Sequence, residues 1–344
     1  MNRRTDASPA PTSSGEPAIP ETSATRRSLR RLLEQGELTL PSPGRGDTAG
    51  RHRALAALAR HHGGDLARLA EGHVDALAIL AEAGRQAAAA CLYGVWASAV
   101  QDSLCFDPDR RTLTGRKPFC SGLGVVDRAL VTALDVEGRV QLLEVVLPPG
   151  VPTFRFDRSG WATPALAGAA TGAVHFDGHP ATGEPVGRTG WYLERVGFWH
   201  GACGPAAVWA GLAGGLVDVV EQQLAHDDDP HHRAHLGALR SIDWALAALL
   251  DQAGDQIDDE PFDAAAARWR AMALRHQVES LCREVLDRAG RAAGPRLYTA
   301  TVGAADRAAD LALYLRQHHA ERDDEVLGRL SPAPAGGVRG AGRR

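Results

Sequence analysis

Apolar residues recur at two different spacings along the chain, and each spacing is typical of one kind of secondary structure. Before residue 92 they lie three, four or seven positions apart, which places them on one helix face; these residues are Leu55, Leu58, Leu66, Leu69, Val74, Leu77 and Leu80. Gly63 and Gly64 interrupt the stripe, so the pattern predicts two helices, the second with Asp65 as its N-cap. A shorter helix is predicted over residues 26–34.

Between residues 93 and 197 the apolar positions form short runs separated by turn-forming residues. The runs are rich in residues that favour strands, and they lie at 113, 130–131, 140–147, 154–156 and 174–176. Turn signals such as Pro148, Pro149 and Gly150 stand between them. Several short strands at this spacing predict a small β-barrel or a β-sandwich.

After residue 198 the helical spacing returns. It predicts four helices with short connections, over residues 205–224, 235–252, 262–289 and 301–325. Four long helices with short joins are typical of an up-and-down bundle. The sequence therefore predicts an α+β multidomain chain, with N-terminal helices over 26–92, a small β-barrel or sandwich over 93–197 and a four-helix bundle over 198–330. The tails, 1–25 and 331–344, have few apolar residues to bury and are expected to be disordered.

The composition narrows the class of protein. Of the 344 residues, 44% are hydrophobic but only 5% are aromatic, which favours closely packed helices. The formal net charge of -4 gives no reason to expect a nucleic acid or an anionic membrane as partner. Five scattered cysteines without a CxxC pair predict a reduced, cytoplasmic protein. Because we find no run of about 18 apolar residues and no apolar segment after Arg4, neither a transmembrane helix nor a secretory signal is expected.

One stretch near the middle of the chain places two strands around a glycine-rich loop. Residues 113–117 fit a strand that enters a turn, 119–124 form the loop, and 129–133 fit the strand that leaves it. Because glycine has no Cβ, Gly122 and Gly124 let backbone N–H groups approach a flat or anionic ligand. A plain β-hairpin with a glycine-rich turn explains the same residues, and both interpretations stay open.

The same stretch resembles the flavin-facing loop of the acyl-CoA dehydrogenase family, in which the pattern LxGxKxWIT precedes small residues and an Asp. The matching residues are Leu113, Gly115, Lys117 and Asp127, and Phe119, Cys120 and Ser121 take the place of Trp-Ile-Thr. The predicted order of helices, β domain and bundle is also the domain order of that family. The resemblance implies that Phe119, Cys120 and Ser121 contact the isoalloxazine ring of FAD. For Cys120, inert packing is the alternative.

Three further segments bear on the cofactor. Arg233, followed by Ala-His-Leu-Gly, resembles the family's RxxFG motif, whose Arg reaches the FAD pyrophosphate across a subunit interface. The alternative is a solvated Arg at a helix start. Residues 287–294 fall where the family receives the adenine end of FAD, but a glycine loop that ends a helix explains them more simply. The family's Glu-Pro-x-x-Gly-Ser-Asp segment is replaced by residues 95–103, where Trp96 and Ser98 are the candidate flavin contacts.

The family's catalytic base is a Glu that follows an Arg-Asp pair near the end of the bundle. Here that pair is Ala309-Asp310, and the resemblance makes His318 and Glu321 the candidate bases. A buried carboxyl group or an imidazole can take a proton from the carbon next to a thioester. On a continuous helix these two residues, three positions apart, share a face. A charged helix end is the simpler alternative.

The same segment is rich in metal-ligand residue types, namely His318, His319, Glu321, Asp323 and Asp324. Adjacent His318 and His319 point about 100° apart on a helix. No second ExxH element complements them, so no metal site is predicted.

The resemblance implies a flavin-dependent oxidoreductase that dehydrogenates an acyl thioester between its α and β carbons, with FAD as hydride acceptor. The implied partners are acyl-CoA or a related small molecule, an electron-acceptor protein and further copies of the chain in a homodimer or homotetramer. One alternative is a flavin-dependent monooxygenase of the same fold, to which an imidazole such as that of His318 is suited. Another is a non-catalytic family member that acts as a binding or assembly protein.

Overall fold

The chain begins with three helices, seen in a computed structural model that describes residues 24–98 and 104–330. They are α1 (Ala24–Glu34), α2 (Thr48–His62) and α3 (Gly64–Glu82). Gly63, at φ 84°, separates α2 from α3, so the glycine pair breaks the apolar stripe as predicted. The predicted N-cap role of Asp65 is wrong. Gly63 is the N-cap of α3, and the Asp65 carboxylate instead accepts a hydrogen bond from Ala169 N at 2.8 Å.

The described strands form one mixed sheet. They are β1 (Tyr93–Trp96), β2 (Cys105–Asp107), β3 (Thr112–Cys120), β4 (Arg128–Leu134), β5 (Val140–Val146), β6 (Phe154–Asp157) and β7 (Gly172–Pro180). Their order is β1-β4-β2-β3-β7-β6, and β5 pairs with β4. Both β1 and β2 run parallel to β4, whereas the remaining pairs are antiparallel. The described strands thus belong to a single mixed sheet, and the predicted small β-barrel or sandwich layout stays a prediction.

The other α-helices of the described chain follow the strands. They are α4 (Trp191–Glu194), α5 (Val196–Gly201), α6 (Cys203–Gln223), α7 (Pro230–Asp259), α8 (Ala264–Ala293), α9 (Arg296–Thr299), α10 (Ala304–Tyr314) and α11 (Glu321–Arg329). The central helix is α6, which packs against α2, α3, α7, α8 and α10. A Cβ on Gly211 would come within 2.1 Å of Ala56 O, so this glycine lets α6 and α2 approach closely. One buried apolar core therefore joins the N-terminal helices, the sheet and the later helices.

Several predicted helix ends differ from the structure, and α7, at Pro230–Asp259, is longer at both ends than the predicted 235–252. The helix predicted over 262–289 continues to Ala293 and ends at Gly294, whose φ is 62°. The predicted helix over 301–325 is broken after Gln317, where His318 is extended and Ala320 has φ 48°. Arg275 donates to Gln317 O at 2.7 Å and so occupies a carbonyl that a continuing helix would use. His318 and Glu321 therefore do not share a helix face.

The stretch Val196–Gln223 is long and apolar enough to cross a membrane when judged by length and composition alone. The sequence reasoning missed it, because it searched for an unbroken apolar run. However, 83% of its most apolar window is buried inside the protein. Its hydrophobicity is explained by its position as the central helix of the core.

Candidate functional site

A cavity of about 280 Å³ opens beside the end of β3. Its walls come from β3, β6, the start of β7 and the turn after β6. The side chains that matter for its chemistry are Arg116, Phe119, Asp157, Ser159, Trp161 and Thr171. Two aromatic rings, two hydroxyl groups, a guanidinium and a carboxylate thus surround one space. A planar polar molecule with a negative charge fits this combination of groups.

Phe119 is held in an unusual backbone conformation at the mouth of the cavity. Its φ is 56°, and the β3–β7 pairing shifts register between Lys117 and Cys120. The shift works as a bulge, which re-aims side chains along a strand. It leaves the Phe119 ring 57% exposed while Cys120 is fully buried. A bulky residue at positive φ is strained, and such strain is concentrated at functional sites.

The other residues predicted around the flavin loop lie close together behind this wall. Cys120 Sγ lies 3.3 Å from Lys117 O, within the core. Ser121 Oγ shares a hydrogen bond of 3.0 Å with Thr171 Oγ1, and Thr171 lines the cavity. Trp96 is buried and donates through Nε1 to Ser121 O at 2.9 Å. The structure therefore places Phe119 in the cavity lining and Ser121 one hydrogen bond behind the lining residue Thr171, whereas Cys120 and Trp96 are buried.

Lys117, which matches the family pattern, is fully buried. Its ammonium donates to Thr132 O at 2.9 Å, to Thr132 Oγ1 at 2.7 Å and to Ser98 O at 3.0 Å. A buried ammonium is tolerated when its protons meet such acceptors. Lys117 thus ties β3 to β4 and to the chain after β1. Through its carbonyl, Ser98 is part of this support; residues 99–103 of the same predicted segment lie outside the described residues.

Asp127, the acidic residue of the pattern, anchors the N-terminal helix to the glycine-rich loop. It accepts hydrogen bonds from Arg26 at 2.9 Å, from Arg30 at 2.7 Å and from Leu92 N at 2.7 Å. Arg26 also donates to Val125 O at 2.7 Å. The sequence reasoning placed Asp127 in the motif but missed its partners. The one available signal was the cluster of arginines in the helix predicted over 26–34.

Buried Asp310 and half-buried Asp65 hold the segment 165–170, which lies just before the cavity residue Thr171. Asp310 from α10 accepts Leu166 N at 2.7 Å, and Asp65 from α3 accepts Ala169 N at 2.8 Å. Burial raises the pKa of Asp310 to about 6, and burial also raises the pKa of Asp65. Charge repulsion from Asp65 adds to the rise in the pKa of Asp310, and repulsion from Asp306 adds to the rise in the pKa of Asp65.

Carbonyl oxygens of the same segment, 165–170, accept hydrogen bonds from the glycine-rich loop and from a residue that lines the cavity. Ala169 O accepts Gly122 N at 2.8 Å, and Ala170 O accepts Leu123 N at 3.1 Å. Ala165 O accepts Trp161 Nε1 at 3.1 Å. Asp65 and Asp310 therefore position both the glycine-rich loop and one aromatic wall of the cavity. The sequence reasoning missed both roles.

The carboxylate inside the cavity is a weak base. Hydrogen bonds from Ser159, with a smaller contribution from His175, lower the pKa of Asp157 to about 2. Ser159 Oγ lies 2.6 Å from the carboxylate. Asp157 therefore stays ionised at neutral pH and has little tendency to take up a proton.

The remaining predicted site residues lie elsewhere in the chain. Arg233 is at the start of α7, 63% exposed in its side chain and paired with Asp228. His318 is buried beside His276 of α8, and Glu321 is the exposed first residue of α11. None of the three lines the cavity. The roles assigned to them from the family resemblance stay predictions, including contact between Arg233 and a cofactor in a second copy.

No protein-family model and no curated protein matches the chain. Solved structures do match. KijD3 in complex with FMN and dTDP-3-amino-2,3,6-trideoxy-4-keto-3-methyl-D-glucose has a TM-score of 0.73 at 17% identity, covering 89% of this chain and 86% of that one. Methanesulfinate monooxygenase MsuC from Pseudomonas fluorescens has a TM-score of 0.70 at 15% identity, covering 90% and 98%. FMN-bound TdsC from Paenibacillus sp. A11-2, a dibenzothiophene monooxygenase, has a TM-score of 0.64 at 15% identity, covering 89% and 94%.

These likenesses define the fold. The chain has the α+β, acyl-CoA dehydrogenase-like fold that these structures share, so the predicted fold class is confirmed at that level. The predicted domain boundaries stay predictions.

Proposed function

We propose that the chain is a flavin-dependent oxidoreductase of the monooxygenase type, which binds FMN in the cavity beside Phe119. The observation that carries the proposal is the pair of aromatic side chains, Phe119 and Trp161, around a space that also presents the Thr171 hydroxyl group. The shared fold with FMN-bound KijD3 and with two monooxygenases supports it.

The residues present fit a flavin. An isoalloxazine ring is flat and apolar on its faces, and aromatic side chains such as Phe119 and Trp161 stack favourably on flat rings. Its pyrimidine edge carries hydrogen-bonding groups, which the Thr171 and Ser121 hydroxyls can meet because a hydroxyl both donates and accepts. Arg116 supplies positive charge on the same wall, suited to a phosphate-bearing tail.

Two observations favour FMN over the FAD that the sequence resemblance implies. The segment expected to receive the adenine end, 287–294, is helical up to Ala293 and offers no glycine loop there. Arg233, expected at the pyrophosphate, is paired with Asp228 at the protein surface. FMN needs neither of these two sites.

The chemistry of the cavity favours oxygenation over α,β-dehydrogenation. Dehydrogenation needs a base that removes a proton from carbon. Among the described residues that line the cavity, Asp157 is the only carboxylate, and its low pKa makes it a poor base. Glu321, the alternative base, lies on α11 outside that lining.

A bound reduced flavin would supply two electrons to dioxygen, so that one oxygen atom enters the substrate and the other leaves as water. The protein's part in this reaction is positioning. Phe119 and Trp161 would cover the ring and exclude water, and Ser121 with Thr171 would fix its polar edge. The register shift between β3 and β7 would orient the Phe119 ring toward the cavity before the cofactor arrives.

Titration of the purified protein with FMN and with FAD, followed by flavin fluorescence and visible absorption, tests the proposal. We expect FMN to bind more tightly than FAD. Phe119→Ala is expected to weaken FMN binding about fivefold to tenfold, from roughly 1–1.5 kcal/mol of aromatic stacking. Phe262→Ala is the matched control, because Phe262 is 81% exposed and lies in the turn between α7 and α8.

Two outcomes would count against the proposal. If neither flavin binds, the cavity is not a flavin site. If bound flavin is bleached by acyl-CoA thioesters without oxygen, the dehydrogenase reaction implied by the sequence resemblance is correct and the monooxygenase assignment is wrong.

A further inference from the structure

A cluster of metal-ligand side chains lies outside the cavity, where the chain breaks before α11. His276 comes from the middle of α8, and His318 and Asp324 flank the break. One ligand atom from each of the three residues lies within 4.8 Å of the other two. The sequence reasoning rejected a metal here because no second element complemented His318. The structure supplies that element, since His276 reaches the same point from 42 residues away along the chain.

The distances between the ligand atoms are close to those found around a bound metal ion. His318 Nε2 lies 3.7 Å from Asp324 Oδ1, which is too long for a direct hydrogen bond. Two ligands on one tetrahedral zinc ion lie about 3.3 Å apart, given metal–ligand bonds of roughly 2.0–2.1 Å. His276 Nδ1 lies 2.6 Å from Asp324 Oδ1, as a hydrogen bond. A shift of less than about 1 Å in each side chain brings all three ligand atoms to bonding distance of a single ion.

We propose that His276, His318 and Asp324 bind a divalent transition-metal ion of the zinc type. Two imidazole nitrogens and one carboxylate oxygen are a ligand set that such ions prefer, with a fourth position left for water. The proposal is independent of the flavin.

The local charges permit a cation. The negative charges of Asp323 and Glu279 act on His318 and favour a cation, whereas Arg275 opposes it. The guanidinium of Arg275 is held by Gln317 O at 2.7 Å and by Ala202 O at 3.2 Å.

The role of such an ion follows from the way α11 is attached. None of the residues of α11 is fully buried, and its apolar residues Val326 and Leu327 are only half-buried, so apolar packing holds this helix weakly. Asp324 is its link to His276 on α8. An ion that joins Asp324 to both histidines would fasten the C-terminal helix to the bundle.

Metal binding also predicts a local change. Ala320 N now donates to His318 Nδ1 at 3.2 Å. If Nε2 ligates the ion, the proton of the neutral ring moves to Nδ1, so the Ala320 N–H must turn away. We therefore expect the turn at 318–320 to shift when the ion binds.

The test uses the full chain after treatment with a chelator. Zn²⁺ is titrated by calorimetry, and Co²⁺ is added as a spectroscopic probe, because its visible absorption reports the number and geometry of its ligands. We expect one ion per chain. His276→Ala and Asp324→Asn are each expected to weaken Zn²⁺ binding at least about tenfold. His319→Ala is the matched control, since His319 is exposed and pairs with Asp323 outside the cluster, and it is expected to bind Zn²⁺ like the unchanged chain.

Amide hydrogen exchange of the unchanged chain gives a second readout. Zn²⁺ is expected to slow exchange in 321–329, and circular dichroism checks that the variants are folded. The proposal is overturned if the unchanged chain takes up no Zn²⁺ or Co²⁺. It is equally overturned if the His276 and Asp324 variants bind as tightly as the His319 variant, because the ions would then occupy other surface sites.

Discussion

Asp310 links the helical bundle to the back of the cavity, and Asp310→Ala tests whether that link holds the cavity in shape. Its carboxylate accepts Leu166 N at 2.7 Å and also takes a hydrogen bond from Gly64 N. Gly64 and Leu166 are both buried. The substitution therefore leaves two buried N–H groups without their acceptor.

The magnitude follows from two opposing effects on the free energy of unfolding. A buried N–H without a partner costs about 1–3 kcal/mol, so the two groups together cost about 2–6 kcal/mol. Removing the carboxylate also removes the unfavourable burial of its charge, which the rise in pKa from 3.8 to about 6 measures. That rise corresponds to about 3 kcal/mol, reduced to about 2 kcal/mol because solvent screens part of the charge. The net loss at neutral pH is about 2 kcal/mol.

The loss depends on pH in a direction that can be worked out. Because the pKa of Asp310 is raised in the folded state, that state holds the proton more tightly than the unfolded chain between pH 3.8 and about 6. The contribution of Asp310 to stability therefore decreases as pH rises through this window. Protonated Asp310 carries no buried charge and still accepts through its carbonyl oxygen. Asp310→Ala should thus be more destabilising near the bottom of the window than at neutral pH, by about 2 kcal/mol.

Urea unfolding of the two proteins at both pH values measures these differences, and amide exchange at Leu166 and Ala169 reports the local effect. Asp306→Ala is the control, because Asp306 is exposed on the same helix and should cost no more than about 1 kcal/mol. If Asp310→Ala is no more destabilising than Asp306→Ala at either pH, Asp310 does not hold the segment 165–170 and the reasoning is refuted.

Three further substitutions have definite expected outcomes. Asp127→Ala removes the anchor of α1, so trypsin should cleave that arginine-rich helix about tenfold faster; an unchanged cleavage rate would show that α1 is held by other contacts. Lys117→Met leaves carbonyl groups of β4 and Ser98 without their donor and should lower the free energy of unfolding in urea by about 2–4 kcal/mol. Gly211→Ala should lower the melting temperature, because the added Cβ would lie 2.1 Å from a carbonyl oxygen of α2. Gly237→Ala should not lower the melting temperature, because no atom lies within 4 Å of the added Cβ. Equal shifts for the two glycine variants would contradict the packing argument.

The spacing of apolar residues predicted the helices and strands in which buried side chains recur at regular intervals. The stripe through α2 and α3, the strands β3 and β4, and the long helices α6, α7 and α8 all follow from it. The errors have a different origin. At the break before α11, Arg275 donates to the carbonyl of Gln317, and Asp65 accepts Ala169 N from the segment 165–170 instead of capping α3. Such contacts between distant residues leave no periodic signal in a sequence.

In the candidate site, too, residues in a local motif could be predicted and contacts between distant residues could not. Phe119 and Ser121 could be found because a motif of the glycine-rich loop carries them. The family resemblance placed Asp310 beside the candidate bases, but its supporting role could not be found, because its partner Leu166 lies 144 residues away. The exposed ring of Phe119 and the low pKa of Asp157 likewise depend on a bulge and on neighbouring hydrogen bonds that only the fold creates.

Helices outside the sheet supply or bind the three carboxylates that support the cavity walls. Asp127 receives its arginines from α1, Asp65 comes from α3 and Asp310 comes from α10. Asp65 and Asp310 accept backbone N–H groups of the segment 165–170, and Asp127 accepts Leu92 N just before β1. A backbone segment held through its N–H groups moves when its acceptor moves, because a buried N–H cannot be left unpaired. A change in any of these three helices can therefore alter the cavity walls without altering a residue that lines the cavity.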